Sequence, residues 1–219
     1  MNRTRKQQKQ KRTYDSRFRQ EGAQATRQSI LNAARQLFLE KGYAATTIPE
    51  IARAAGIAVD TVYATVGKKP SLFRLLVEVS ISGSDEAVPA EGRDYVRAIR
   101  QEPDAARKLQ LYAAALRRIH PRLAPLFRVL QHAAPLDSEL DALWQGIAQR
   151  RARNMRVLAR DLASTGRLRP GLSIGKVADI IWSMNSPEFY LLLVEHRGWS
   201  PRAFEQWLGD AWIRLLLES

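Results

Sequence analysis

Apolar residues recur at helical spacing from Thr26 onward. Ile30, Leu31, Ala34, Leu37 and Phe38 fall at i, i+1, i+4, i+7 and i+8, one face of a helix that Gly42 is placed to stop. In the following TTIPEIARAAG, Thr47 and Glu50 have the spacing of a capping box, and Pro49 lies in the first turn, where its missing N–H is harmless. This predicts a second helix of only two turns, ending near Ala55. Gly56 can take positive φ and reverse the chain. Ile57 and Val62 then anchor a third short helix over residues 59–65, and Ala52 is small where the two must cross. Leu72, Leu75, Leu76 and Val79 mark one face of a fourth helix.

The stretch SGSDEAVPAEG, residues 82–92, is rich in turn formers and lacks periodicity, so it reads as a linker. Beyond it helices are predicted over 93–100, 104–119, 121–133, 138–163, 173–185, 187–197 and 201–217. Ser186-Pro187 and Ser200-Pro201 each supply an N-cap followed by an N1 proline. With no alternating strand pattern, the fold class is all-α. The division is a basic arm at 1–25, expected to be disordered, a helix-turn-helix domain with its connecting helix at 26–82, a linker at 83–92 and a larger helical domain at 93–219.

Composition narrows the functions open to such a chain. Its 219 residues are 45% hydrophobic, enough for a packed core, yet no apolar run is long enough to span a bilayer and no signal core opens the chain, so a cytoplasmic protein is expected. There is no cysteine, which excludes thiolate metal sites and cysteine nucleophiles, and three histidines far apart argue against any metal. The net charge of +13 is concentrated at the amino end: residues 1–28 hold nine basic side chains against Asp15 and Glu21. A polyanion, nucleic acid first, is the partner such an arm suits.

The third predicted helix is not built for a core. Val59, Asp60, Thr61, Tyr63, Ala64 and Thr65 form a compact surface of hydroxyls, methyls and one aromatic ring, small enough for a major groove about 12 Å wide. Lys68 and Lys69, at the start of the fourth helix, suit phosphate contacts that set register.

Over residues 30–72, ILNAARQLFLEKGYAATTIPEIARAAG followed by TVYATVGKKPSL resembles the DNA-binding region of the TetR family of bacterial transcriptional repressors. The resemblance implies an all-helical homodimer with an inducer-binding carboxy-terminal domain. It adds Thr46 and Thr47 as DNA-contact positions, alongside Thr61, Tyr63, Thr65 and Lys69. Departures are Ala58 where a capping serine is usual, Val66 in place of an aromatic, Lys68 in place of serine, and Pro49, which cannot read a base.

The carboxy-terminal helices suggest two tasks. Phe204, Trp207, Leu208, Ala211, Trp212 and Leu215 form a broad apolar stripe, and the preceding FYLLLV segment, with Phe189, Leu192 and Leu193, is apolar nearly all round. Pairing with a second copy would cover both. Tyr112, Phe127, Arg128, His132, Trp144, Trp182, Met184 and Asn185 mix aromatic and polar groups as small-molecule sites do, and are the candidates for contact with an inducer. No cofactor is expected.

The expected activity is a ligand-released repressor that binds a near-palindromic operator. Two other readings are a dimer that organises nucleic acid without sequence preference and, more distantly, a hydrolytic enzyme using Ser173 and Lys176, which match S-x-x-K without its partner motifs. The acidic cluster Asp137, Glu139 and Asp141 is the favourable first turn of a helix.

Overall fold

The computed structural model describes the backbone of residues 2–83 and 88–218, and the side chains of these from residue 21 onward. Most of the expected linker at 83–92 falls on residues 84–87, outside that description. The helices are α1 (Asn2–Ala45), α2 (Ile48–Ala55), α3 (Val59–Val66), α4 (Lys69–Ser82), α5 (Asp94–Gln101), α6 (Ala105–Ala133), α7 (Ser138–Ala163), α8 (Ile174–Met184), α9 (Pro187–Leu191) and α10 (Pro201–Leu216). Among the described residues the only β pairing is an isolated bridge between Leu168 and Leu217. The chain divides into two compact units, Met1–Leu76 and Val77–Ser219, so the division falls inside α4 and ahead of the expected linker.

In the first unit α1 begins at Asn2, where a disordered arm was expected. Residues 2–21 contain neither glycine nor proline and are rich in Lys, Arg and Gln, so a helix already nucleated downstream extends through them at little cost. Gly42 interrupts the helical backbone with φ 79°, and Thr46 finishes the job. Its fully buried hydroxyl lies 2.8 Å from the Gly42 carbonyl oxygen and 3.2 Å from that of Leu37, supplying a donor to carbonyls the ending helix leaves open. Phe38, Tyr43 and Phe73 close the core as a ring cluster, Phe73 edge-on to the other two at 5.1 and 5.5 Å.

The predicted capping box is present. Thr47 Oγ1 accepts the Glu50 N–H at 3.3 Å, and Glu50 Oε2 accepts the Thr47 N–H at 3.0 Å. The other Glu50 oxygen takes Lys41 Nζ at 2.9 Å. Lys41 first, then Thr47, holds the Glu50 carboxyl down at about 2, so the stabilisation is present above the ordinary carboxylate range and is lost as pH falls through the folded value. Gly56 takes the left-handed conformation at φ 69°, and the Ile57 N–H reaches back to the Ala52 carbonyl at 2.9 Å, a Schellman closure that turns the chain into α3.

In the second unit α6 is the central rod. It packs on α10, α5, α9 and α7, while α7 packs on α8. A break between residues 119 and 121 was expected, yet α6 runs continuously through Pro121 and Pro125. Leu116, Ile119, His120, Leu123, Ala124 and Phe127, on both sides of the prolines, are all buried, and that burial exceeds the roughly 3 kcal/mol a helix-interior proline costs. The expected helix over 187–197 is α9 followed by a π-helical turn, Leu192–His196. The serine caps predicted at Ser186 and Ser200 each accept the N–H three residues on, and Ser173 does the same at the start of α8.

Candidate functional site

The face of α3 is open. Val62 and Val66 are buried one turn apart and fix the helix to its unit, whereas Val59, Asp60, Thr61, Tyr63 and Ala64 are exposed, Tyr63 at 48%. Thr65 is half-buried and its hydroxyl donates to the Thr61 carbonyl at 2.7 Å, so what it presents outward is chiefly its methyl group. At about 1.5 Å per residue, eight residues make a rod about 12 Å long, matched to a major groove. Ala58 gives α3 no side-chain cap, as its identity predicts. Lys68 is exposed beside it.

Two proposed DNA contacts move inside. Thr46 is sealed from solvent by the bonds it makes to the end of α1. Lys69 donates its Nζ to the Tyr43 and Thr46 carbonyls at 3.1 and 3.0 Å and lies 4.2 Å above the Tyr43 ring, so its ammonium is engaged by the α1 terminus. Thr47 remains exposed, with its hydroxyl committed to Glu50. Thr46→Val is therefore expected to lower the stability of the folded chain by about 1 to 3 kcal/mol in denaturant melts, because the shape is kept while the donor is lost. Its affinity for DNA, measured on the folded fraction, should not change.

A second feature lies wholly within the carboxy-terminal unit. A cavity of about 160 Å³ is lined mainly by apolar side chains from α4, α5, α6 and α7, with Tyr112, His120, Arg151 and Asn185 among its polar groups. Arg151 Nη2 donates to Asn185 Oδ1 at 2.6 Å and to the Trp182 carbonyl at 2.8 Å, and its guanidinium stacks 5.1 Å over the Trp182 ring. Asn185 Nδ2 in turn donates to the Tyr112 hydroxyl at 2.7 Å. Tyr112 is held flat between Trp212 at 5.5 Å and Tyr95 at 6.4 Å. Burial raises the Tyr112 phenol and lowers Arg151 from its ordinary value.

His120 is 1% exposed, against the Tyr190 ring at 5.0 Å, and both its ring nitrogens lack partners. The Asn185 main chain approaches it without completing a hydrogen bond. Burial first, then the positive charge of Arg151, depresses the imidazole to about 3, so it is neutral in the folded protein. Since the unfolded histidine takes up a proton near pH 6.5, stability is retained above that value and lost as pH falls below it, by about 1.4 kcal/mol per pH unit down to the folded value. The drop in urea midpoint between pH 7.5 and 5 should shrink in His120→Phe.

Of the eight candidate ligand contacts, Tyr112, Phe127 and Asn185 line the cavity. Arg128 is exposed and paired with Glu195, and His132 is exposed. Trp144 stacks behind Phe127 at 4.6 Å, Trp182 lies under Arg151, and Met184 packs on the core, so these five are not wall residues. His120, Arg151 and Met155 were missed. His120 and Arg151 each interrupt an otherwise apolar i, i+4 ladder on α6 or α7 (Tyr112, Leu116, His120; Ile147, Arg151, Met155), and a polar residue in such a ladder was the available signal, whereas Met155 reads as ordinary core.

The proposed pairing surface also divides. Phe204, Leu208 and Trp212 are completely buried in their own unit, so they cannot meet a partner. Leu192, Trp207 and Leu215 are exposed at 56, 39 and 47%, and Phe189, Leu193 and Ala211 are half-buried beside them. Ser173 Oγ accepts the Lys176 main-chain N–H at 3.2 Å, so the S-x-x-K match is a helix cap. Asp137 accepts the Glu139 and Leu140 N–H groups at 3.0 and 3.1 Å, the capping role expected of that cluster.

The fold and site define a two-unit helical protein with an amino-terminal helix-turn-helix reading head. Residues 30–76 match the family described as bacterial regulatory proteins, tetR family. The HTH-type transcriptional regulator AcrR of Shigella flexneri is 41% identical over 64 residues, which is 29% of this chain and 30% of that protein's length. NalD of Pseudomonas aeruginosa, the secondary repressor of the MexAB-OprM multidrug efflux pump, superposes with a TM-score of 0.69 at 24% identity, over 91% of this chain and 99% of that one. The SmeT-triclosan complex superposes with a TM-score of 0.62 at 19% identity, over 89% and 93% of the two chains. Among the described residues no helix is long and apolar enough to cross a membrane.

Proposed function

We propose that the chain is a cytoplasmic transcriptional repressor that binds a near-palindromic DNA operator as a homodimer and leaves it when a small molecule occupies the carboxy-terminal cavity. The observation that carries this reading is the exposed face of α3, on which Thr61 and Tyr63 stand free while Val62 and Val66 hold the helix down. Threonine can bond a base edge or meet a thymine methyl, and tyrosine can reach a phosphate. One such helix selects poorly; two, held a helical turn or a multiple apart, multiply their affinities. The exposed apolar residues around α10 supply a surface for that pairing.

Release requires a ligand that favours one head spacing over another. Helix α4 supports this link, since Leu72, Phe73 and Leu76 are in the head core while Val77 and Ile81, further along the same helix, line the cavity. SmeT, whose complex with triclosan shares the fold, is a precedent for a small molecule in such a scaffold.

The test begins with selection of genomic fragments by the purified protein. Thr61→Ala and Tyr63→Ala should each weaken binding to the selected site by about 1 to 3 kcal/mol, with Thr61→Ala also narrowing the gap to random DNA. Equal affinity for selected and random DNA at fixed salt would instead favour a non-specific organiser of nucleic acid.

A further inference from the structure

The cavity has a charge that its own residues leave unmatched. Of the acidic and basic side chains on its wall, Arg150 is paired with Glu78 at 2.6 Å and Asp161 with Lys108 at 2.7 Å. That leaves Arg93, Arg100 and Arg151 against Glu91 alone. Arg151 is the decisive one. Among the described residues it makes no ion pair: Glu188 acts on it electrostatically but stays outside pairing distance, and the two hydrogen bonds of Arg151 go to neutral oxygens through Nη2. Its Nε and Nη1 have no protein acceptor among the described residues.

A cation so placed is expensive unless an anion completes it, and with Nη2 occupied the guanidinium can still give a carboxylate charge-assisted hydrogen bonds from Nη1 or from Nε. His120 is a second and independent sign. Its two nitrogens are buried at the cavity wall, and among the described residues neither completes a hydrogen bond, a condition native proteins seldom leave unfilled. Being neutral, the imidazole can donate from one nitrogen and accept at the other.

The rest of the wall sets the body of the ligand. Tyr112, Leu116, Phe127 and Leu158 give flat, apolar surroundings. A volume of about 160 Å³ is close to that of an engineered apolar cavity, about 150 Å³, that accepts benzene. We propose that this cavity binds a small organic carboxylate with a compact aromatic body of one or two rings, its carboxylate on Arg151 and a polar atom on His120. The proposal rests on the reading of this unit as ligand-responsive and adds the chemical class of the ligand.

Three probes of one shape and different charge test it: naphthalene-2-carboxylate, naphthalene-2-carboxamide and naphthalen-2-ylmethylammonium, titrated into the full chain by calorimetry. The carboxylate is expected to bind at least about tenfold tighter than the amide, and the ammonium weakest of all. In Arg151→Met the carboxylate should fall to the level of the amide, and Arg151→Lys should recover part of the difference. If Arg151→Met does not fold, the order of the three probes on the natural chain decides.

Equal binding of carboxylate and amide, preference for the ammonium, or no binding of the carboxylate at about 1 mM overturns the proposal; affinity at that level is only about 4 kcal/mol, within reach of a dozen-atom ligand. Release of selected DNA is measured separately. Selective carboxylate binding without release leaves the ligand class standing and counts against ligand-released repression, whereas release by uncharged molecules alone does the reverse.

Discussion

On the proposed homodimer, Trp207→Glu and Leu215→Glu are each expected to leave a folded single subunit that no longer holds the selected DNA site. Both side chains lie on the outward ladder of α10, one turn to either side of Ala211, and both are substantially exposed in the isolated chain. Because a two-fold interface repeats every residue, one substitution buries two unpaired carboxylates in it. The dimer dissociation constant should rise by at least about a hundredfold. Operator affinity should then fall by about 10² to 10⁴, the contribution of the second head. Sedimentation measures the first and band shift the second, while helical circular dichroism should be unchanged. Variants that stay dimeric would place the pairing surface elsewhere.

The inward ladder of the same helix should respond in a different currency. Trp212 is completely buried and stacks on Tyr112 with the rings 9° from parallel. Truncating it to alanine is expected to cost about 3 to 5 kcal/mol in a urea melt, a large part of the roughly 5 to 15 kcal/mol a domain has. Trp212→Phe should cost far less, because the indole N–H is buried with no acceptor and its removal loses no bond. If the two variants lose the same stability, the aromatic stack contributes less than its geometry implies.

These two ladders mark where the sequence was readable and where it was not. The apolar stripe of α10 was plain, but residues 207, 211 and 215 and residues 204, 208 and 212 form adjacent rows, and nothing local says which row its own core will cover. The reading head was legible almost residue by residue because its signals are local: the Thr47 and Glu50 box, Gly56 in the left-handed region, and Val62 between exposed neighbours. It did not foresee the bonds of Thr46 and Lys69, whose partners lie up to 9 and 26 residues away and exist only after α1, α2 and α4 have met.

The cavity was the least legible. An arginine among apolar positions can be a surface residue with its stem folded down, and a histidine there can be plain core. Only when Arg151 is found with donors that no described residue accepts, and His120 with neither ring nitrogen hydrogen-bonded among the described residues, does either mark a site.

One helix, α4, belongs to both units, since the division between Leu76 and Val77 falls in its middle. Separating the two units at that point would cut through helical main-chain bonds, so an amino-terminal piece made for study has to run on to Ser82 to keep its last helix whole.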